Sequence, residues 1–366
     1  MNKRIYVFSG SGNSLYLAKK IAGSVGECEI VGVGKDTVIA LDGVEMVGFV
    51  FPTHYCAAPK IVKDKLRALV GADVGSASGM KASLTEVRAE EKSEVSGDVE
   101  GKVESGCQMA VADSVVSECV ESECVDSEGA VNECVVSDGV EGESVVSGAV
   151  NKCVVGEGSV VIEPKPYVFV LATCGGFAGN AVSGVVEILA EKGVKVDFGL
   201  GVKMVANAVT HYDLKSKGAI AKKLAKADKN IDKIAEQIRG KESNKTKKQI
   251  AFLKKMNAKW EQKVGNFAKD YVVSDDCVAC GGCVNICPTR NIQLKAVESN
   301  KGEQVEGGTA ARQKPVFGED CQACLACLHN CSKSAINYQT KTQKRGRYRH
   351  PQIAISELVA INKTVS

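Results

Sequence analysis

The sequence has no long apolar run. Its longest, 46–51 and 167–172, are strand-sized, far short of the roughly 20 residues that a membrane helix needs. Residues 1–8 read as a strand rather than a cleavable leader, so the expectation is a soluble, cytoplasmic protein without a membrane span. Aromatic residues make up only 5% of the chain, with one Trp. The basic stretch 214–264 holds too few of them for a base-stacking platform, which argues against nucleic acid as a partner. A charge of one sign is also missing overall, but the net +3 hides an asymmetry. Residues 73–163 carry 20 acidic against 5 basic side chains, and the rest of the chain is strongly basic. The basic stretch reads as a solvated helix face or as a docking patch for redox partner proteins of acidic character.

Cysteine is not scarce: there are sixteen. Eight lie in two stretches, Cys277-x2-Cys280-x2-Cys283-x3-Cys287 and Cys321-x2-Cys324-x2-Cys327-x3-Cys331. This spacing is that of bacterial two-cluster ferredoxins, where three thiolates wrap one cube and the fourth reaches the neighbouring one. The reading is therefore two [4Fe-4S] clusters, one on Cys277, Cys280, Cys283 and Cys331, the other on Cys321, Cys324, Cys327 and Cys287. Structural zinc is the plainer use of C-x2-C pairs. Four cysteines this close in sequence do not close comfortably on one tetrahedral ion, and Gly281-Gly282 suits close approach of backbone to a cluster. Pro288 follows the first motif, whereas Ser332 follows the second. Clusters need a reducing compartment, which agrees with a cytoplasmic location.

The N-terminal part alternates strand and helix patterns. An apolar run at 3–8 leads into Ser9-Gly10-Ser11-Gly12-Asn13-Ser14 and then a helix with apolar Leu15, Leu17, Ala18 and Ile21. A strand, a Gly/Ser turn and a helix N-terminus form an anion site. This one has no Lys for a nucleoside triphosphate and no third Gly for a dinucleotide. Hydroxyl-rich and cation-free, it suits a single terminal phosphate such as that of FMN. Residues 7–14 resemble the phosphate loop of flavodoxins. Two later loops stand where such a fold keeps its flavin contacts. Thr53 and Tyr55 follow the strand at 46–51, with Tyr55 the aromatic placed to cover the ring. Thr173, Gly175 and Gly176 follow the strand at 167–172. His54 needs no catalytic role, and no acid–base pair stands out in these loops.

Between those loops, Val or Ala recurs every five residues from Val115 to Val160, a period that fits neither a helix face nor a strand face. High charge, abundant Gly and Ser and missing aromatics favour disorder there. Its cysteines (107, 119, 124, 134 and 153) read as repeat content. The expected fold class is α/β, a flavodoxin-like doubly wound parallel sheet interrupted by this insertion, plus a small α+β ferredoxin-like two-cluster domain. The expected domains are 1–72 with 164–212 for FMN, 73–163 as insertion, 213–270 as basic helical connector, 271–340 for the clusters and 341–366 as basic tail. The combination resembles flavodoxin–ferredoxin fusion proteins. That resemblance implies an electron-transfer protein; a flavin-dependent reductase of a quinone, nitro compound or oxygen is the alternative.

Overall fold

A computed structural model describes residues 2–69, 120–125, 131–136, 142–146, 149–156, 159–163, 165–296 and 313–363. The chain divides into two compact units, one made of Met1–Asp73 with Lys165–Ser366, the other of Val74–Pro164.

The larger unit is built on a five-stranded parallel sheet. Its strands are β1 (Lys3–Val7), β2 (Glu29–Gly32), β3 (Met46–Pro52), β9 (Tyr167–Cys174) and β10 (Phe198–Lys203). Their spatial order is β10-β9-β3-β1-β2, so the chain steps outward from β1 to β2 and then returns to β1's other side. Helices α1 (Asn13–Val25), α2 (Lys60–Arg67), α3 (Ala181–Glu191) and α4 (Lys217–Arg239) cover both faces. Alternation along the strands sorts the side chains between these layers. Ile5, Val7, Met46, Val50, Phe169 and Leu171 pack with Leu17 and Ile21 of α1 and Ile231, Ile234 and Ile238 of α4. Tyr6, Phe8, Phe49, Phe51, Val168 and Val170 pack with Ile61 and Leu66 of α2 and Val185 and Leu189 of α3. Phe8, Phe49, Phe51 and Phe169 are fully buried, and each such side chain contributes about 1.5–3 kcal/mol. Gly48 pairs with Phe169 across the sheet, and a Cβ there would meet its ring at 2.1 Å.

Three elements depart from the sequence reading. In the sequence the run 194–200 reads as a fifth strand, but the strand spans Phe198–Lys203, because Asp197 already turns the chain by exchanging hydrogen bonds with the backbone of Val168. Gly199 and Gly201 interrupt its apolar pattern where Val182 and Ala178 pack close, which hid the later half. Helix α4, read as part of a connector, closes one face of the sheet through its buried Ala227–Ile231–Ile234–Ile238 stripe. The segment read as a basic tail folds back on the sheet: α8 (Ile355–Lys363) buries Leu358 and Ile361, and a Cβ on Gly32 would overlap the Ile361 carbonyl.

The cysteine motifs sit in a second core of the same unit. After α5 (Ala251–Lys263) and a 3-10 turn (Val264–Asp270), β11 (Tyr271–Val273) pairs antiparallel with β14 (Ile336–Tyr338). Likewise β12 (Ile292–Ala296) pairs with β13 (Gln313–Phe317). Short helices α6 (Gly282–Ile286) and α7 (Ala326–His329) carry the third cysteine of each motif.

In the smaller unit, β4 (Val120–Val125) and β5 (Val131–Val136) form an antiparallel pair. Strands β6 (Gly142–Val146), β7 (Ala149–Gly156) and β8 (Ser159–Glu163) form an antiparallel meander. The sequence reading expected no regular structure there. Cys107 and Cys119 lie outside the described residues, as does 297–312 of the polar stretch between the cysteine motifs.

Candidate cofactor site

Beyond the C-terminal ends of β1, β3 and β9 lies a cleft of about 140 Å³. Ser9, Ser11, Asn13, Ser14, Thr53, Tyr55, Thr173 and Gly175 line it, while Gly12 and Gly176 fall outside its lining. The Ser9–Ser14 loop is tightly built. Gly12 takes φ +95° before α1 begins, and the Ser9 hydroxyl accepts from the amides of Gly12 and Leu15 at 3.2 and 3.3 Å. Ser9 thus caps the helix in place of the residue adjoining it. The Ser14 and Thr173 hydroxyls meet at 2.9 Å, and the Asn13 side chain donates to the Val205 carbonyl at 3.0 Å. Asn207 donates to Ser11.

The C-terminal segment braces the far side of this loop. Tyr348 donates its hydroxyl to Asn13 Oδ1 at 2.8 Å, the His350 amide donates to the Ser11 carbonyl at 2.8 Å, and the His350 ring stacks on Tyr16 at 3.9 Å. Burial pushes His350 down to about 4, so its imidazole is neutral near pH 7.

The second loop is strained. Tyr55 and Cys56 are consecutive non-glycine residues at φ +46° and +62°, a conformation that persists only where surroundings over-determine it. The His54–Ala57 backbone pair and the Asn180 amide, donating to Cys56 O at 2.7 Å, hold it. Trp260 stacks on Tyr55 at 3.7 Å, and the Tyr55 hydroxyl meets His211 Nε2 at 3.0 Å. Thr210 in turn meets His211 Nδ1 at 2.9 Å. Burial, then Lys341 and Arg345, lowers the pKa of His211. Burial also holds His54 down at about 4. Two buried atoms in the second loop, Thr53 Oγ1 and His54 Nδ1, have no partner. The sequence reading missed Asn207, Thr210, His211 and Trp260. The first three follow β10, at the same edge of the sheet as the other loops, and that position was the available signal.

The two cysteine motifs share one irregular backbone. Ala279, Gly281 and Arg290 have positive φ in the first, and Ala323, Leu325 and Ser334 occupy the matching places in the second. Left-handed turns of this kind point successive amides into a concavity that favours anions. The fourth cysteine of each motif accepts from the amide four residues on: Asn291 to Cys287 and Ala335 to Cys331, both at 3.3 Å. The thiols of Cys321, Cys324 and Cys327 face Cys287, from the other motif, and the four line a cavity of about 20 Å³. Cys283 faces Cys331 and Cys277, while Cys280 is exposed. Burial, aggravated by neighbouring thiols, pushes Cys283 and Cys321 up to about 11 and Cys327 further. Crowded, buried thiols of this kind ionise only with a cationic centre beside them. Among the described residues, no three His, Cys, Asp or Glu side chains close on a single metal ion, and all eight cysteines of the two motifs are free of disulfides. The donor set, the anion-cradling turns and the amide-to-sulfur bonds fit iron–sulfur clusters.

Residues 270–293 match the 4Fe-4S binding domain family. No curated protein and no solved structure matches the chain. The family match makes iron–sulfur electron transfer the chemistry this part of the chain supports. Among the described residues, no helix is long and apolar enough to cross a membrane.

Proposed function

We propose that the chain is an electron-transfer protein, carrying FMN in the cleft at the sheet edge and two [4Fe-4S] clusters on the cysteine motifs. One observation carries this reading. The cleft bounded by the Ser9–Ser14 loop is also lined by Ala323, Cys324 and Leu325 of the second motif, and a Cβ on Gly10 would lie 2.2 Å from the Cys324 carbonyl. A flavin there and a cluster on Cys321, Cys324, Cys327 and Cys287 would be close neighbours. FMN exchanges electrons singly or in pairs and a cluster one at a time, so the pair would work as a wire. The first cluster, on Cys277, Cys280, Cys283 and Cys331, would extend it toward a redox partner.

The strand order, 2-1-3-4-5 when the sheet strands are counted along the chain, supports a flavodoxin-like fold. Its ligand site falls where that order reverses, between β1 and β3. Unpartnered Thr53 Oγ1 fits a polar ligand. At about 140 Å³ the cleft is narrower than the ~300–1,000 Å³ of organic ligand sites. Seating FMN therefore requires the cleft, lined by the exposed Tyr55 and Tyr212 among others, to widen. In this reading Ser9, Ser11, Gly12, Asn13 and Ser14 hold the phosphate, and Thr53, Tyr55, Thr173, Gly175 and Gly176 hold the ring system. The proposed setting is a reducing compartment, the cytoplasm.

The Tyr55–His211–Thr210 chain at the mouth favours a second reading, a flavin-dependent reductase. Against it, burial raises the pKa of Tyr55 and lowers that of His211, so neither is poised to give up a proton near pH 7. Anaerobic reconstitution with iron, sulfide and flavin counts tests the proposal. Eight irons and one FMN are expected; eight irons without flavin would leave a two-cluster carrier, and zinc in place of iron would sink the reading.

A further inference from the structure

Tyr271 opens β11, six residues before the first cysteine of its own motif, yet its hydroxyl faces the other one. It looks onto the thiols of Cys327, Cys321 and Cys324 and, with Cys287, borders the small cavity those thiols enclose. The hydroxyl is buried and lacks a hydrogen bond of settled geometry, although Cys327 is within its reach. Its ring has little freedom. Phe267 and Tyr338 meet it edge-on at 5.9 and 6.1 Å, and Phe317 tilts against it at 5.0 Å. Strand pairing with Tyr338 fixes its backbone. A rigid donor whose facing groups are all cysteines has sulfur as its natural acceptor.

The place corresponding to Tyr271 in the other half of the module holds no such donor. Val273 pairs with Ile336, and Phe317 pairs with Ile292, each Ile standing five residues after the last cysteine of its motif. This correspondence puts Pro315 where Tyr271 stands, and proline has neither hydroxyl nor amide hydrogen. Hydrogen bonds to cluster sulfurs stabilise the more negative, reduced form and so raise the reduction potential.

We infer that the Tyr271 hydroxyl donates to a sulfur of the second cluster's ligand set and raises the potential of that cluster while leaving the first unaffected. Its effect is to draw an electron in the module toward the cleft. The inference rests on the cluster reading above.

The test is a potentiometric EPR titration of the full chain, reconstituted without oxygen. In Tyr271→Phe, one of the two cluster midpoints is expected to fall while the other stays. With 3-fluorotyrosine at position 271, whose more acidic hydroxyl donates more strongly, the same midpoint is expected to rise. Tyr338→Phe, whose hydroxyl donates to Asp270 instead, is expected to move neither. Two unmoved midpoints, or equal shifts in both, would overturn the inference. So would a fluorotyrosine shift in the same direction as the Phe shift, and that protein alone decides if Tyr271→Phe does not load its iron. Protein that binds no iron at all sinks the proposed function, whereas eight irons with unmoved midpoints sink this inference alone.

Discussion

Cys280 and Cys324 occupy the same place in their motifs, and their surroundings differ. Cys280 is exposed, beside a Val278 that is 58% exposed. Cys324 is half-buried against the cleft, with buried Leu325 and Cys327 beyond it. Both loops turn through left-handed residues at matching positions, but the first uses Gly281 where the second uses Leu325. The first lies within 270–293, the residues that match the 4Fe-4S binding domain family. The lesson is that ligand spacing and backbone shape are common to the two motifs, while the residues between answer to what packs outside. In the second motif the left-handed place is taken by Leu325, whose side chain is buried.

The broadest test of that contrast is to remove one ligand from each loop. Cys280→Ser is expected to cost the protein about half its iron, by the two-cluster reading, and to leave flavin binding intact. Cys324→Ser should lose as much iron and weaken flavin binding as well, because its loop walls the cleft. Iron and flavin counts on both variants check this. Equal flavin retention would erase the distinction between the loops.

Smaller effects sharpen it. Leu325→Gly relieves roughly 1–2 kcal/mol of left-handed strain but gives up about 2–5 kcal/mol of packing, so a net loss of about 1–3 kcal/mol is expected in chemical denaturation. Gly10→Ala should cost about 1–3 kcal/mol by the same measurement, since its Cβ meets the Cys324 backbone rather than a movable side chain. Acid distinguishes the loops too. His329, in the second, is held down at about 4, mainly by burial, while the first has Asn285 at that place. The unfolded chain protonates near 6.5, so stability is whole above that pH and falls as pH drops toward 4, by at most about 1.4 kcal/mol per pH unit for this residue. His329→Asn should flatten that part of a melting-temperature profile taken between pH 7.5 and 5.5. Gly281→Ala completes the series. Nothing lies within 4 Å of the added Cβ, so only left-handed strain of about 1 kcal/mol is expected.

Much of this was legible in the sequence because it is local. The cysteine spacing, the apolar runs of β1, β3 and β9, and the Gly/Ser turn before α1 each announce themselves within a dozen residues. What escaped was long-range. Helix α4 reads as a lysine-rich connector until Ile231, Ile234 and Ile238 are seen against the sheet. Tyr348 and His350 read as part of a basic tail, because nothing near them in sequence reveals Ser11 and Asn13 as partners. His211 gains meaning only from Tyr55, 156 positions away.

The bond between Tyr348 and Asn13 spans 335 positions, and this has a consequence for biosynthesis. At the usual 5–20 residues per second, a ribosome delivers the second partner roughly 20–70 seconds after the first. Throughout that interval the nascent loop at Ser9–Ser14 waits unbraced, open to chaperones and water. Its final shape waits for Tyr348, so the protein should acquire a competent cleft only after translation has passed both cysteine motifs.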